Sequence, residues 1–167
     1  MLNVRCKMLD VSRGFTLVEL LIVMSITLIL VFASAPIYGS LQVKAQLDET
    51  TAQTIQTLRT ARENSVARYH NSAHGVYFDI NAGGNDNYIL YQGDSYATRD
   101  ADYDRTNILE SVLSFANVDL VLTGTGIDIN FSEGLGKPNN IGSLNLTHDI
   151  EGAATISVNS FGKVEEE

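Results

Sequence analysis

Glu19 is the residue whose setting least suits its chemistry. From Phe15 to Val43 there is no Lys, Arg or Asp, and Glu19 is the only acid. About 20 mostly apolar residues in a helix can cross a bilayer core with every backbone group paired inside its own turn. A carboxylate at that depth costs roughly 2.5–3.5 kcal/mol, so it marks a functional contact. Asp100, Asp102 and Asp104 have the alternate spacing of oxygen ligands in a calcium loop. Arg105 takes the position of the required Gly, however, and Ser111 that of the bidentate Glu, so a solvated acidic loop is the expectation, with calcium as the weaker alternative. Asn85-Asp86-Asn87 would join such a site or serve a tight turn. His70 and His74 are four apart, as two ligands on a helix would be, but no third ligand is near, and a surface helix end accounts for both. Gly134-Leu135-Gly136-Lys137-Pro138 lacks the Ser or Thr of a phosphate loop and reads as a hairpin tip. There is no G-x-S-x-G or H-E-x-x-H motif, and the expectation is a protein that is not an enzyme.

Arg13-Gly14-Phe15-Thr16-Leu17-Val18-Glu19, preceded by a basic leader and followed by the apolar run to Pro36, resembles the prepilin signature of type IV pilins and type II secretion pseudopilins. The resemblance implies a prepilin peptidase that cuts after Gly14 and methylates the new N-terminus at Phe15. It also implies that Glu19 meets the Phe15 amine of a neighbouring subunit during filament assembly. Electrostatics agrees, since an ammonium and a carboxylate in lipid each lower the other's cost by pairing. An intrachain pair is the alternative, because positions i and i+4 share a helix face and an acid in the first turn suits the helix dipole.

The chain has 167 residues and a net charge of −9, enough for one modest domain besides the apolar segment. A leader of residues 1–14 carries Arg5, Lys7 and Arg13 against Asp10, a net of +2, so its removal leaves −11. An acidic body is poorly suited to phosphate backbones, and no nucleic acid is expected. The only cysteine, Cys6, lies in the leader, so the mature chain has no disulfide. Bases before the apolar run and none after it until Lys44 keep the N-terminus in the cytoplasm, with the rest outside the inner membrane or periplasmic. A rival reading is a secretory signal peptide cut after Ala35 in Ala33-Ser34-Ala35. The length of the run, Pro36 after the cut and Glu19 within it all count against that reading.

These residues require elements to carry them. Ile55, Leu58, Ala61/Arg62, Val66 and Tyr69 recur at helical steps, so the helix continues beyond the apolar run to about His70 and extends roughly 80 Å at 1.5 Å per residue. Pro36 removes one ladder bond and is expected to kink the helix near residues 32–36; pilin-like helices commonly carry a proline there. After His70 the period falls to two: Val76, Phe78 and Ile80, then a turn at 81–87, then Tyr88 to Tyr91. Val118–Leu122, Ile127–Phe131, Leu144–Leu146 and Ile156–Val158 repeat the alternation of antiparallel strands with one wet face. The expected fold is α+β: a long N-terminal helix against an antiparallel sheet of about six strands. The expected divisions are a cleaved leader 1–14, a transmembrane and filament-core helix 15–37, its amphipathic continuation 38–72 and a β-rich head 73–167.

Ile129-Asn130-Phe131 with Gly134, then Gly142 to Leu146, Ile156-Ser157-Val158 and Gly162-Lys163-Val164, resembles the C-terminal pattern of GspH/FimT-type minor pseudopilins. Some FimT-like proteins take part in DNA uptake through basic C-terminal residues, and Glu165-Glu166-Glu167 departs from that pattern. Together the resemblances imply a minor structural subunit of a type IV pilus or type II secretion-like filament. Its implied partners are the prepilin peptidase, other pilin subunits, an inner-membrane assembly platform and lipid. A pilus-tip binding subunit and a secreted soluble domain are the alternatives.

Overall fold

The computed structural model describes residues 14–80, 84–150 and 152–167, with no side chains described at 33–38. The turn residues 81–83 and the leader up to Arg13 lie outside the described residues. The chain falls into two compact units, Met1–Gly39 and Ser40–Glu167. From Leu17 the described backbone of the first is helical, part of α1 (Leu17–Val66), which also opens the second. The helix assignment runs unbroken through Pro36, where the sequence places a kink.

In the second unit α1 buries Leu47, Thr51, Thr54, Ile55, Leu58, Ala61 and Ser65, a stripe at three- and four-residue steps. Three of these are hydroxyl residues. Thr54 and Ser65 each donate to the carbonyl four residues back, so they enter the core with their polar atom satisfied. Val66 and Tyr69, expected on this stripe, are 44% and 52% exposed. The helix also ends at Val66 rather than near His70. Its last turn is taken up by tertiary bonds: the Ser65 carbonyl accepts from Gly134 N–H, and the Ser65 hydroxyl accepts from His74 N–H at 2.8 Å. Arg68 then turns into the left-handed region and a short 3-10 turn, Tyr69–Asn71, leads to the sheets.

Nine strands are described, not about six, and they form two antiparallel sheets. The first has β1 (His74–Asp79) at its centre, with β2 (Asn87–Gln92) and β3 (Asp100–Ile108) on one side and β6 (Gly126–Phe131) and β5 (Leu122–Thr123) on the other. The second runs β4 (Leu113–Asn117), β7 (Gly142–His148), β8 (Ala153–Val158) and β9 (Val164–Glu166). The β1–β2 hairpin forms as expected, pairing Val76 with Leu90 and Phe78 with Tyr88. Val118 and Leu120 lie before β5, outside any strand.

One hydrophobic core joins the helix stripe to both sheets through Val76, Phe78, Ile127, Ile129, Leu144, Leu146 and Ile156. Asp86 staples the sheets: its carboxylate accepts Phe115 N–H of β4 at 2.6 Å, and its carbonyl accepts Leu109 N–H. Strands β7 and β8 alternate buried with half-buried positions, as one wet face requires. Strands β1 and β6 are buried on both faces, because segments 93–99 and 139–140 cover the side away from the helix. Gly75 makes room for the Tyr91 ring. A Cβ there would lie 2.6 Å from the Tyr91 ring and 2.9 Å from the Ile129 carbonyl. Gly75→Ala is therefore an overpacking change with an expected cost of about 1–3 kcal/mol, read as a lower thermal midpoint by circular dichroism.

Candidate functional site

The N-terminal helix start is built from few parts. Thr16 caps it: the Thr16 hydroxyl accepts the Glu19 N–H at 3.2 Å, and the Thr16 carbonyl accepts the Leu20 N–H at 3.2 Å. Thr16 and Glu19 have the T-x-x-E spacing of a capping box, a local signal separate from the membrane argument. No Gly or Pro interrupts residues 15–35, and Leu, Ile and Val fill most positions.

Side chains from Phe15 to Phe32 are exposed around the whole circumference, with Phe15 at 79% and Phe32 at 76%. A helix that is apolar all round belongs inside a protein bundle or a membrane. Its few polar groups separate into two kinds. Ser25 donates to the Leu21 carbonyl at 2.8 Å, and Thr27 donates to the Val23 carbonyl at 2.9 Å, so these hydroxyls are satisfied by their own helix. The Glu19 carboxylate is exposed and meets no side-chain partner among the described residues. It is the one charged side chain described between Phe15 and Phe32. Gly14 has open space around it, with nothing within 4 Å of a Cβ built there. Pro36 lies on α1, but its side chain lies outside the described residues. Among the described residues no helix is long and apolar enough to cross a membrane. The described side chains of the apolar run stop at Phe32, short of the residues at 33–38 that continue it.

The other sequence candidates separate in space. Asp100, Asp102 and Asp104 fall on strand β3, not in the expected acidic loop. The loop reading missed this strand because a two-residue period of acids resembles ligand spacing and strand alternation equally. Asp104 pairs with Arg99 at 2.8 Å. Among the described residues no group of three or more His, Cys, Asp or Glu is placed to hold a metal ion. His70 stays at the surface with Nδ1 3.0 Å from the Gln92 side-chain oxygen, whereas His74 opens β1 and is buried. Glu165 and Glu166 of the acidic tail form β9 against β8.

Sequence reasoning also missed a buried polar network on the outer face of the first sheet. Tyr91 donates to the Asp128 carboxylate at 2.6 Å, and Asn130 donates to the Tyr91 oxygen at 3.0 Å and to the Gly93 carbonyl at 2.8 Å. The second Asp128 oxygen accepts Tyr96 N–H, and the Tyr96 ring stacks on Tyr77 at 3.8 Å with Arg99 over it, also at 3.8 Å. Burial, reinforced by the Asp128 contact, pushes the Tyr91 hydroxyl well above the usual tyrosine range. The signal available was the Ile127-Asp128-Ile129-Asn130 alternation, whose polar members read as a wet face and are in fact covered.

No curated protein and no solved structure matches the chain. Residues 10–35 match the family described as the prokaryotic N-terminal methylation motif, which spans Gly14, Phe15, Glu19 and most of the apolar run, so the chain carries a prepilin-type N-terminus of the kind found on pilins and pseudopilins.

Proposed function

We propose that the protein is a minor structural subunit of a type IV pilus or type II secretion-like filament, and not an enzyme. The carrying observation is the Glu19 carboxylate, without a side-chain partner among the described residues, on an all-round apolar helix within the matched motif. In this reading the residue 15–37 segment anchors the chain in the cytoplasmic membrane with its head outside. Prepilin peptidase cuts after Gly14 and methylates Phe15. Methylation keeps the amine's charge, and that amine on one subunit pairs with Glu19 of its neighbour as the assembly platform draws the chain from lipid into the filament. The net charge of −9 and the tail at Glu165–Glu167 disfavour a DNA-uptake role.

Mass spectrometry of the mature protein tests the processing step. The expected chain begins at Phe15 and carries one added methyl group on its amine. A chain that begins at Pro36 would make the protein a secreted domain, and a functional chain still bearing residues 1–14 would remove the filament reading.

A further inference from the structure

A cleft of about 420 Å³ opens between the end of α1 and strand β3, inside the second unit. Its volume is in the range of small-molecule sites, roughly 300–1,000 Å³. Its rim is aromatic. Tyr69 stacks on His70 at 4.0 Å, and His70 meets the edge of Tyr103 at 5.0 Å. Both tyrosines are about half exposed, at 52% and 48%, yet the ring contacts hold them in place.

The polar lining is unspent. The side chains of Asn64, Asp102 and Arg105 make no hydrogen bond among the described residues. Among the described residues, Asp104 Oδ1 and His74 Nδ1 are buried and have no hydrogen-bond partner, and burial holds the His74 ring below the usual histidine range, in favour of its neutral form. Native structures rarely leave buried atoms such as these two without a partner, and a ligand, ion or ordered water completes them. The segment that shapes the rim is strained as well: Arg68, His70 and Asn71 hold φ of 52°, 53° and 56°, a region non-glycine residues seldom occupy and that clusters at ligand clamps.

Charge selects the ligand. Asp102 and Asp104 are offset by Arg105 and by Arg99, which is bonded to Asp104 at 2.8 Å. Arg99 lies outside the lining but already neutralises Asp104, so an anion would face two carboxylates and a cation the Arg105 guanidinium. A neutral polyol fits, because each hydroxyl both donates and accepts and so can serve Asp102 and Arg105 alike. The carbon–hydrogen face of a sugar ring would also find apolar cover on the tyrosines. We propose that this cleft binds a neutral saccharide, held by Asn64, Asp102 and Arg105 and packed against Tyr69 and Tyr103. The site depends on the head alone and is readable whether or not the chain enters a filament.

The test uses the full chain in a zwitterionic detergent free of sugar, applied to a broad array of neutral oligosaccharides, with sialylated glycans and polyamines as charged comparators. Binding to neutral glycans is expected, confirmed by saturation-transfer NMR with the best disaccharide. Tyr103→Ala and Asp102→Asn, both at exposed positions, are each expected to weaken it at least tenfold with the thermal midpoint unchanged. Val121→Ser, on another exposed segment, is expected to leave it intact. No binding across the neutral array, binding only to charged compounds, or binding indifferent to both cleft variants would each overturn the proposal.

Discussion

Replacing Glu19 with Ala is expected to cut the chain's recovery in sheared filaments at least tenfold while its level in the membrane holds or rises. The direction of the two readouts follows from the free energies. In the isolated membrane-bound subunit the carboxylate is a burden of roughly 2.5–3.5 kcal/mol, so alanine relieves it. In the proposed filament the same substitution leaves a neighbour's Phe15 ammonium without its partner, a loss of roughly 3–5 kcal/mol for a desolvated pair. A tenfold change needs only about 1.4 kcal/mol, so the assembly defect survives substantial solvent screening of the contact. Helix formation is not at issue: alanine is the better helix former, and the Thr16 cap uses the backbone N–H of residue 19, which the substitution keeps. Filament recovery equal to wild type would assign Glu19 to its own chain's amine four residues away.

The parts of this molecule legible in the sequence are those set by a local period. The apolar run, the β1–β2 hairpin and the one-wet-face strands β7 and β8 declared themselves because their neighbours along the chain decide their burial. The helix end was not legible. No Gly or Pro stands at 67–74, and the stop comes from bonds to Ser65 made by His74 nine residues on and by the remote Gly134. Strand β3 was hidden by composition, since its acids lie at an exposed edge where hydrophobic alternation carries no signal. Asp86 illustrates the limit most simply. Its neighbours Asn85 and Asn87 read as turn chemistry, but its carboxylate is buried because Phe115 of the other sheet needs an acceptor. Of the candidate sites, the N-terminal motif was legible because its residue types and spacing lie within one short stretch, which the match to residues 10–35 covers. The cleft joins residues from Asn64 to Arg105 and exists only once helix and sheet have met.

The network around Asp128 is where the head should be most sensitive to a single polar change. Asp128→Ala removes the acceptor of both the Tyr91 hydroxyl and the Tyr96 N–H, and Tyr96 anchors the segment that covers β1 and β6. Losing a buried acceptor from such a network is expected to cost roughly 3 kcal/mol, a large share of the 5–15 kcal/mol that holds a domain folded. That corresponds to a drop of about 10 °C in the thermal midpoint for a domain of this size. The pH dependence distinguishes loss of this contact from a general loosening. The Tyr91 hydroxyl ionises well above its unfolded value of about 10, first because it is buried and then because Asp128 accepts its proton and repels the phenolate. A raised folded value means the unfolded chain gives up its proton first, so the stability this tyrosine contributes is complete below about pH 10 and is lost as pH rises beyond it, at about 1.4 kcal/mol per pH unit. Asp128→Ala removes the carboxylate's part of that shift and leaves the burial part. Denaturant melts should therefore show the variant less stable than wild type by a fixed gap up to its own folded tyrosine value, which burial still holds above 10, with the gap narrowing once the pH passes that value. A gap that stays constant would mean that the Tyr91–Asp128 hydrogen bond does not control the alkaline limb.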